Sequence, residues 1–401
     1  MTGESYWLRN EGPQYPRLEG ERTVDVAVVG GGISGCAAAL FLAETGASVA
    51  LLERDSIAHG ASGRNGGFVL AGTVEDFATA IDQFGLERAT AIWRFSVHNL
   101  ERAESLARRL LEEDIDCGYS RSGSIRLADS PEEAASIERS ARELGRLGYQ
   151  LELLSNEELP AAIRAHYSSG AFNPLDAEYD PAAFVRGLAQ PAAAKGAQVY
   201  DSSAVLSLEE ERGSVMIRTA KGSLRAERVV VCLNAYSSGL LPQLEGVLRP
   251  VRAQALVTAP IETRLFESPC YGHHGYHWWR QLDSGELIAG GWRNESFESE
   301  ECADEVACEP VQAHIEGFVR RIAPGAAIEQ RWAGLMGFTP DGLPLVGRLP
   351  GSERVWVAGG YNGHGNGLAL GAVQAVVDGI AGKPNDGLSL FDPSRFGGLM
   401  D

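Results

Sequence analysis

The feature that most constrains this chain is a glycine loop placed between a buried strand and a helix near the N-terminus. The run Val24–Val29 is short, β-branched and almost entirely apolar, which is typical of a strand buried on both faces of a parallel sheet. A G-x-G-x-x-G motif over 30–35 follows it, and residues 33–45 predict a helix. A second apolar strand over 48–52 ends in Glu53. These segments predict a βαβ unit of about 30 residues in an α/β fold.

Each glycine of the motif has a physical role that a side chain would prevent. Gly30 permits a tight turn, Gly32 lets a pyrophosphate approach the backbone, and Gly35 lets the helix pack closely on the strand. Glu53 places a carboxylate where ribose hydroxyls bind, and it would repel a 2′-phosphate. The combination predicts an adenine dinucleotide site; the alternative is a glycine-rich connection in an unrelated α/β protein. We assign three neighbouring residues to the same site: Ile33, Ser34 and Arg54.

Two further glycine clusters distinguish FAD from NAD. The first lies just after the second strand, over 61–67, and the second precedes the last helix, over 359–367. Both offer backbone donors, and a cofactor that needs contacts from regions about 300 residues apart fits the longer FAD better. The residues of these clusters predicted to bind it are Ser62, Gly63, Arg64, Asn65, Gly66, Gly67, Gly360, Asn362, Gly363, His364, Gly365, Asn366 and Gly367.

The remaining pattern predicts a mixture of helices and strands, so the fold class is α/β, and α+β overall. Residues 75–114 are predicted to be helical, and further helices are predicted to begin at Pro131 and Pro181. The stretch 250–295 is rich in β patterns. The first element of the chain is expected to begin at Thr23. The other predicted strands cover 122–127, 198–210, 214–219, 223–226, 228–233 and 355–358, and the other predicted helices cover 310–322 and 369–380.

Charge and cysteine content exclude several classes of function. With 35 Lys+Arg against 54 Asp+Glu, the formal charge is −19, which disfavours binding to nucleic acid or to anionic membranes. The six cysteines show no CxxC spacing, which predicts a reduced, cytoplasmic protein. Residues 1–20 lack the apolar run of a secretory signal, and no stretch is long and apolar enough for a membrane span. The acidic stretch 298–309 is expected to be a solvated surface segment.

Four motifs resemble the D-amino-acid oxidase, glycine oxidase and sarcosine oxidase superfamily of FAD-dependent amine oxidoreductases, in order and in spacing. They lie over 28–35, 61–67, 341–347 and 359–367. The resemblance extends from about Tyr6 to Pro384. The Ser-Tyr-Trp-Leu opening and the Ala-Ser-Gly-Arg-Asn-Gly-Gly run look most like the γ-glutamylputrescine oxidoreductase subgroup.

The resemblance implies a Rossmann-like FAD-binding domain interleaved with a substrate-binding domain. The FAD-binding domain would take 22–75, 155–238 and 330–386. The substrate-binding domain would take 76–154 and 239–329 and would be built on a mixed or antiparallel sheet that covers the open face of the flavin.

The resemblance also implies how the cofactor is held and used. The backbone near Val205 would receive the adenine, and Asn234 and Ala235 would close a βα turn nearby. Residues 363–367 would face the pyrimidine end of the flavin, where helix-terminal donors stabilise an anionic reduced form. A hydride would pass from the substrate's α-carbon to flavin N5 and leave an imine that water hydrolyses, while the protein supplies orientation and charge.

The chain departs from the family pattern at positions that bear on its chemistry. Gly334 stands where covalent members carry a flavin-linking cysteine, so non-covalent FAD is expected. Met336 and Gly367 stand where other members carry the arginine or lysine that binds a substrate carboxylate, which favours an amine over a simple α-amino acid. Ile288 is the approximate counterpart of an oxygen-activating lysine. An oxidase that uses O2, a dehydrogenase with another electron acceptor, and a flavin-binding subunit of a larger complex therefore all stay open.

The segment 276–281 is the main candidate for substrate contact. As a strand it places Tyr276, Trp278 and Arg280 on one face, where two aromatic rings and a guanidinium can form a pocket. The alternative is that Arg280 pairs with an acid and the rings are core. The histidines within 273–277 have no cysteine or carboxylate at zinc-like spacing, so no metal is expected. The other candidates for the reaction site are Trp332, Met336 and His364.

Overall fold

The computed structural model describes residues 3–400 and contains two eight-stranded sheets. In chain order its strands, β1 to β18, are Gly20–Val29, Val49–Leu52, Phe68–Val69, Ser124–Ala128, Glu152–Ser155, Ser169–Asn173, Ala177–Glu178, Gln198–Tyr200, Val205–Glu211, Ser214–Thr219, Gly222–Val231, Arg249–Thr258, Cys270–Gly272, His277–Gln281, Leu287–Gly291, Ile328–Phe338, Leu345–Arg348 and Val355–Gly359. Its helices, α1 to α10, are Ile33–Glu44, Phe77–Phe84, Leu86–Glu112, Pro131–Arg146, Pro181–Ala194, Phe297–Glu300, Glu309–Ile322, Gly365–Ile380, Asp386–Leu390 and Gly397–Met400. Within this part of the chain, none of the helices is both long and apolar enough to cross a bilayer.

The first sheet is built around the βαβ unit that the sequence predicts. Six of its strands lie in the order β17-β18-β11-β1-β2-β8, β10 pairs with β11, and β9 pairs with β10. Strand β1 runs parallel to both β11 and β2. Helix α1 is buried from Ile33 to Ala43, as expected for a helix that is apolar on all sides and covered on both flanks. A Cβ at Gly35 would lie 1.7 Å from the carbonyl oxygen of Gly30, so only glycine lets α1 approach β1 this closely.

The second sheet is mixed, as expected for the substrate-binding domain. Its order is β16-β12-β15-β14-β13-β4-β6-β5, and its pairs are antiparallel except for the parallel pair of β4 and β13. Helix α7 packs its apolar residues on one face of this sheet, around the fully buried Trp279. The other face is thereby left to meet the first sheet.

Most elements agree with the sequence prediction to within a few residues, and four differ from it. The stretch 75–114 forms two helices, because Gly85 adopts a φ of 80° between α2 and α3. Residues 223–233 do not form two strands; β11 alone covers this region and pairs with β1 along its length. The strand expected over 198–210 is divided into β8 and β9. The last helix begins at Gly365, four residues earlier than predicted.

Two segments that the sequence analysis left outside the core are buried. Tyr6–Leu8 forms a buried 3-10 turn, although no element was predicted before Thr23. Within the acidic stretch 298–309, Glu300 is fully buried and forms a 2.7 Å ion pair with Arg252. The prediction of a wholly solvated stretch is therefore wrong, because one carboxylate of the run is paired inside the protein.

Along the sequence, the strands of the two sheets alternate more often than the expected domain boundaries imply. Strands β6 and β16 belong to the second sheet, although both overlap ranges expected for the FAD-binding domain, 155–238 and 330–386. The division into these two domains stays a prediction.

Candidate active site

A cavity of about 410 Å³ lies between the first sheet and the open face of the second. On one side it is lined by residues that follow β1, β2 and β11. On the other it is lined by residues of β4, β12, β13, β14 and β16. In open α/β sheets, ligands bind at the carboxyl ends of the parallel strands. The cavity is therefore the candidate active site.

The structure brings most of the residues assigned to the cofactor to the wall of this cavity. They are Gly30, Gly32, Ile33, Ser34, Glu53, Arg54, Ser62, Arg64, Asn65, Gly66, Val205, Asn234, Gly363, His364, Gly365, Asn366 and Gly367. Six others lie behind the wall, where they shape the loops that carry it: Gly35, Gly63, Gly67, Ala235, Gly360 and Asn362.

The glycine loop forms a polar cradle at the start of α1. The amide of Ile33 donates a 2.9 Å hydrogen bond to Ser62 Oγ, and the amide of Gly31 donates a 2.6 Å bond to Glu53 Oε2. Burial raises the pKa of the Glu53 carboxyl above its ordinary value, against the lowering effect of hydrogen bonds from the amides of Asp55 and Gly31. A Cβ at Gly32 would lie 2.9 Å from Ser62 Oγ, so a side chain there would fill the cradle.

The other two glycine clusters are tied to each other by a pair of asparagines. Asn366 Nδ2 donates to Asn65 Oδ1 and to the carbonyl of Phe68, both at 3.0 Å. The amide of Gly67 donates to Asn65 Oδ1 at 2.7 Å, and the indole of Trp7 donates to the Asn65 carbonyl at 2.7 Å. These bonds hold the 61–67 loop, the start of α8 and the N-terminal turn as one wall.

This arrangement agrees with the comparisons with known proteins. The family model described as "FAD dependent oxidoreductase" matches residues 25–378. The chain belongs to this family. It is 28% identical to the probable oxidoreductase OrdL of Haemophilus influenzae, over 99% of this chain and 93% of that protein. It is 29% identical to the gamma-glutamylputrescine oxidoreductase of Escherichia coli, over 90% of this chain and 83% of that protein.

Solved structures support the same fold. The glycine oxidase of Geobacillus kaustophilus superposes with a TM-score of 0.81 at 22% identity, covering 93% of this chain and 99% of that one. The L-proline dehydrogenase of P. horikoshii superposes with a TM-score of 0.77 at 23% identity, covering 95% and 99%. The predicted Rossmann-like fold and the FAD cofactor are thus confirmed.

The cavity suits non-covalent FAD in its chemistry. Its wall combines a glycine cradle at a helix start, which offers donors to a pyrophosphate, with the carboxylate of Glu53, which offers acceptors to ribose hydroxyls. At Gly334 a Cβ would lie 3.0 Å from Arg64 Cβ, so any side chain there would require Arg64 to shift. The one cysteine of the described chain on this wall, Cys232, is buried, which raises the pKa of its thiol to about 12. That thiol is therefore not a reactive nucleophile.

His364 presents a neutral imidazole to the cavity at the start of α8. Its Nε2 lies 3.0 Å from the carbonyl oxygen of Leu70. Because a carbonyl only accepts, Nε2 must carry the proton of the neutral ring, and Nδ1 is left as an acceptor. Burial lowers the pKa of His364 to about 4, so the ring stays neutral near pH 7.

Trp278 forms an aromatic wall of the cavity, as the sequence analysis expected. Its indole packs edge to face on Phe68, with ring centroids 5.6 Å apart. A Cβ at Gly66 would lie 2.8 Å from this indole, and one at Gly290 would lie 2.1 Å from it. The two glycines therefore make the slot in which Trp278 sits.

Tyr276 and Arg280 do not reach the cavity, although both were expected on the face of Trp278. Strand β14 begins only at His277, and Tyr276 packs on Phe297 with centroids 5.6 Å apart. Arg280 forms a 3.3 Å ion pair with Glu178 and donates a 3.0 Å hydrogen bond to the carbonyl of Tyr179. Burial lowers the pKa of the Arg280 guanidinium, and Glu178 opposes this effect. These contacts agree with the alternative interpretation of the sequence, in which Arg280 pairs with an acid and does not bind the substrate.

The remaining candidates divide in the same way. Met336 lines the cavity, and a Cβ at Gly363 would lie 3.2 Å from its sulfur. Trp332 is fully buried behind the wall, where its indole donates a 2.9 Å hydrogen bond to the carbonyl of Arg64. Within residues 3–400, no three His, Cys, Asp or Glu side chains are grouped to hold a metal ion.

Sequence reasoning missed several residues of the wall, among them Arg126, Tyr271 and Tyr361. The hydroxyl groups of Tyr361 and Ser34 lie 2.8 Å apart, and Tyr361 follows a glycine pair that the sequence analysis did single out. Arg126 and Tyr271 meet only because β4 and β13 pair across a long sequence separation. No local pattern predicts that pairing.

The first prediction concerns the attachment of FAD. The purified protein should be yellow, and acid denaturation should release intact FAD into the supernatant, because Gly334 provides no thiol for a covalent bond. The absorbance of the supernatant and of the pellet measures this. Flavin that stays with the precipitated protein would contradict non-covalent attachment.

The second prediction concerns the cradle. Gly32→Val should abolish FAD retention, because the side chain would occupy the space of the pyrophosphate and meet Ser62. Glu53→Ala should weaken FAD binding by about 1–3 kcal/mol, the cost of losing charged hydrogen bonds to ribose hydroxyls. Titration of the apoprotein with FAD measures both. Gly145→Val is the matched control, since a Cβ at Gly145 meets nothing within 4 Å; unchanged FAD affinity in both test variants would show that the site is placed wrongly.

The third prediction follows from the lowered pKa of His364. In the unfolded chain His364 has an ordinary pKa of 6.5, whereas in the folded protein its pKa is about 4. Between these two pH values the unfolded chain therefore binds a proton at His364 that the folded protein does not bind. Stability should therefore fall as the pH drops from 6.5 toward 4, with up to about 3 kcal/mol due to this residue. Unfolding free energies of the holoprotein and of His364→Gln across this window test it. Parallel curves for the two proteins would contradict a buried neutral ring.

Proposed function

We propose that this FAD-dependent oxidoreductase oxidises a C–N bond of an amine or amino acid, and that it favours amine-type substrates over simple α-amino acids. The names of its relatives, which include gamma-glutamylputrescine oxidoreductase and glycine oxidase, support the general class. The preference for amines rests on one observation. Met336 and Gly367 place no cation at the two positions where similar enzymes bind a substrate carboxylate.

The geometry at these positions supports this proposal. A Cβ at Gly367 would lie 2.3 Å from the carbonyl oxygen of Leu70 and 2.9 Å from the His364 ring, so no lysine fits there without rearrangement. Met336 presents a thioether to the cavity wall. An α-carboxylate placed beside these residues would be a charge without a partner, which costs several kcal/mol.

The protein's own residues supply orientation and a dry environment for the reaction. FAD, when bound, is the acceptor of the hydride that leaves the substrate carbon. The Trp278 and Phe68 pair gives an apolar wall that excludes water, and His364 Nδ1 can accept a hydrogen bond from a neutral substrate amine. With a pKa of about 4, His364 is a weak base, so its role is to orient the amine. Loss of hydride from the neutral amine leaves a protonated imine, which water hydrolyses to a carbonyl compound and an ammonium ion.

A dehydrogenase that passes its electrons to an acceptor other than O2 is the second candidate. Ile288, the approximate counterpart of an oxygen-activating lysine, is fully buried on β15 beside Ala289 and carries no charge. This favours slow reoxidation by O2. Mixing the anaerobically reduced enzyme with O2, and separately with an artificial quinone, measures the two reoxidation rates; reoxidation by O2 at least as fast as by the quinone would favour the oxidase.

The fourth prediction tests the substrate class. Each amine should reduce the flavin faster than its α-carboxylated analogue under anaerobic conditions, because the cavity lacks a cation at the family positions. Glycine, sarcosine and D-alanine are included as simple amino acids, and the loss of the flavin absorption band gives the rates.

Arg280→Met serves as the companion variant. Arg280 is held outside the cavity by Glu178, so its loss should lower stability and leave the preference between paired substrates unchanged. Faster reduction by the carboxylated members in the wild type, with the advantage lost in this variant, would contradict the proposal and make Arg280 the carboxylate anchor.

A further inference from the structure

Resting on the proposed function, we propose that Arg126 and Tyr271 bind a carboxylate that the substrate carries several bonds away from its reacting amine. The substrate class would then be an ω-carboxylated amine. Both residues lie on the second sheet, on strands other than the β16 strand that carries Met336.

The guanidinium of Arg126 lines the cavity and is poorly satisfied by the protein. Its Nε is buried and has no hydrogen-bond partner in the described chain. Its Nη2 reaches the carbonyl of Val74 only at 3.4 Å, beyond the usual range for such a bond. An arginine with free donors that faces a cavity is suited to bind an anion there, and a carboxylate matches its geometry.

The other two arginines on the cavity wall are occupied. Arg54 forms a 2.9 Å ion pair with Asp55. Arg64 donates hydrogen bonds to the carbonyls of His59 and Ala333, at 2.8 and 3.0 Å. Among the cavity arginines of residues 3–400, Arg126 therefore has donors to spare for a ligand.

The acidic groups nearest Arg126 are already satisfied by other donors. Burial alone would raise the pKa of Asp76, but Arg126 and hydrogen bonds such as that from the Thr79 amide hold it below its ordinary value. Burial raises the pKa of Asp176 to about 7, and its carboxyl accepts a 2.6 Å hydrogen bond from Ser124 Oγ. Neither acid forms an ion pair with Arg126, so the cation is not neutralised by a direct partner.

Tyr271 adds a neutral donor beside this cation. In the sheet it is the register partner of Arg126 on β4 and of Trp278 on β14, and the guanidinium lies 5.4 Å from its ring centroid. Burial raises the pKa of Tyr271 to about 12, so its hydroxyl stays protonated near pH 7 and can donate. Arg126, Tyr271 and Trp278 therefore form a cross-strand row on the cavity wall.

The position of this row indicates a distant acid. Met336 lies on β16, five strand positions from the β4 strand of Arg126. At about 4.8 Å per strand, the two backbones are separated by up to roughly 24 Å along the sheet. An α-carboxylate is bonded to the carbon that loses hydride. The residue that binds such a carboxylate must therefore lie beside the reacting carbon. An anchor on β4 instead suits an acid at the end of a substrate that extends along the cavity wall away from Met336.

The test compares isomers that differ only in where the acid stands. The holoenzyme is mixed anaerobically with 6-aminohexanoate, with its isomer 2-aminohexanoate and with hexylamine, and the dependence of flavin reduction on concentration gives an apparent Kd for each. We expect 6-aminohexanoate to bind about 10- to 100-fold more tightly than hexylamine, the effect of a charge-assisted hydrogen bond. Arg126→Met should remove this advantage, Arg126→Lys should restore part of it, and Tyr271→Phe should reduce it.

Two controls keep the result specific. Arg146→Met removes a cation at an exposed helix position, where Arg146 pairs with Glu143, and should keep the full advantage. Calorimetric titration of the holoenzyme with hexanoate, which has no amine to oxidise, measures the anion site without turnover. Hexanoate should bind at least tenfold more weakly to Arg126→Met than to the wild type.

The outcomes separate this inference from the proposed function. If hexylamine reduces the flavin but 6-aminohexanoate gains nothing, and hexanoate binds equally to wild type and Arg126→Met, the anion site is disproved and the amine reaction stands. If 2-aminohexanoate has the Arg126-dependent advantage, the distant placement is disproved. If no amine reduces the flavin, the proposed function fails, and the hexanoate titration alone decides whether Arg126 binds an anion.

Discussion

The close contact between α1 and β1 is the constraint on which the rest of the site depends. A single added carbon at Gly35 would lie 1.7 Å from the Gly30 carbonyl oxygen, so the helix and the strand meet backbone to backbone. This contact brings the glycine loop and the start of α1 to the carboxyl end of the sheet, where Glu53 accepts from the Gly31 amide and Ser62 accepts from the Ile33 amide. The loops and the second sheet then complete a cavity around that point.

The second sheet gives the cavity its chemical character. Glycines at 66 and 290 make room for the Trp278 ring in the wall, and Met336 presents an uncharged thioether to the cavity. Arg280, which stands outside the cavity, is paired with Glu178. The unpartnered donors of Arg126 are therefore the polar feature that distinguishes this wall.

Local sequence predicted the parts of the site that depend on local structure. The βαβ unit, the acid at Glu53 and the glycine clusters follow from patterns a few residues long, so their placement on the cavity needed no tertiary information. Arg280 and Tyr276 show the limit of that reasoning. Strand alternation gave a face, but the start of β14 at His277 and the nearby carboxylate of Glu178 decided where each side chain lies.

Features that depend on distant pairings could not be predicted in this way. Arg126 joins Tyr271 only through the parallel pairing of β4 and β13, and Glu300 is buried only because Arg252 lies opposite it. The N-terminal turn at Tyr6–Leu8 is ordered by contacts such as the one from Trp7 to the 61–67 loop. In each case the sequence contains both partners but no local sign that they meet.

The most direct test of the account is a crystal structure of the purified yellow protein. It should show the FAD pyrophosphate against the backbone at Gly32, the adenosine ribose at the carboxylate of Glu53, and the flavin ring in the cavity between the 363–367 loop and Trp278. Density for the flavin outside this cavity, or a flavin ring that Trp278 and the second sheet do not cover, would contradict the central claim.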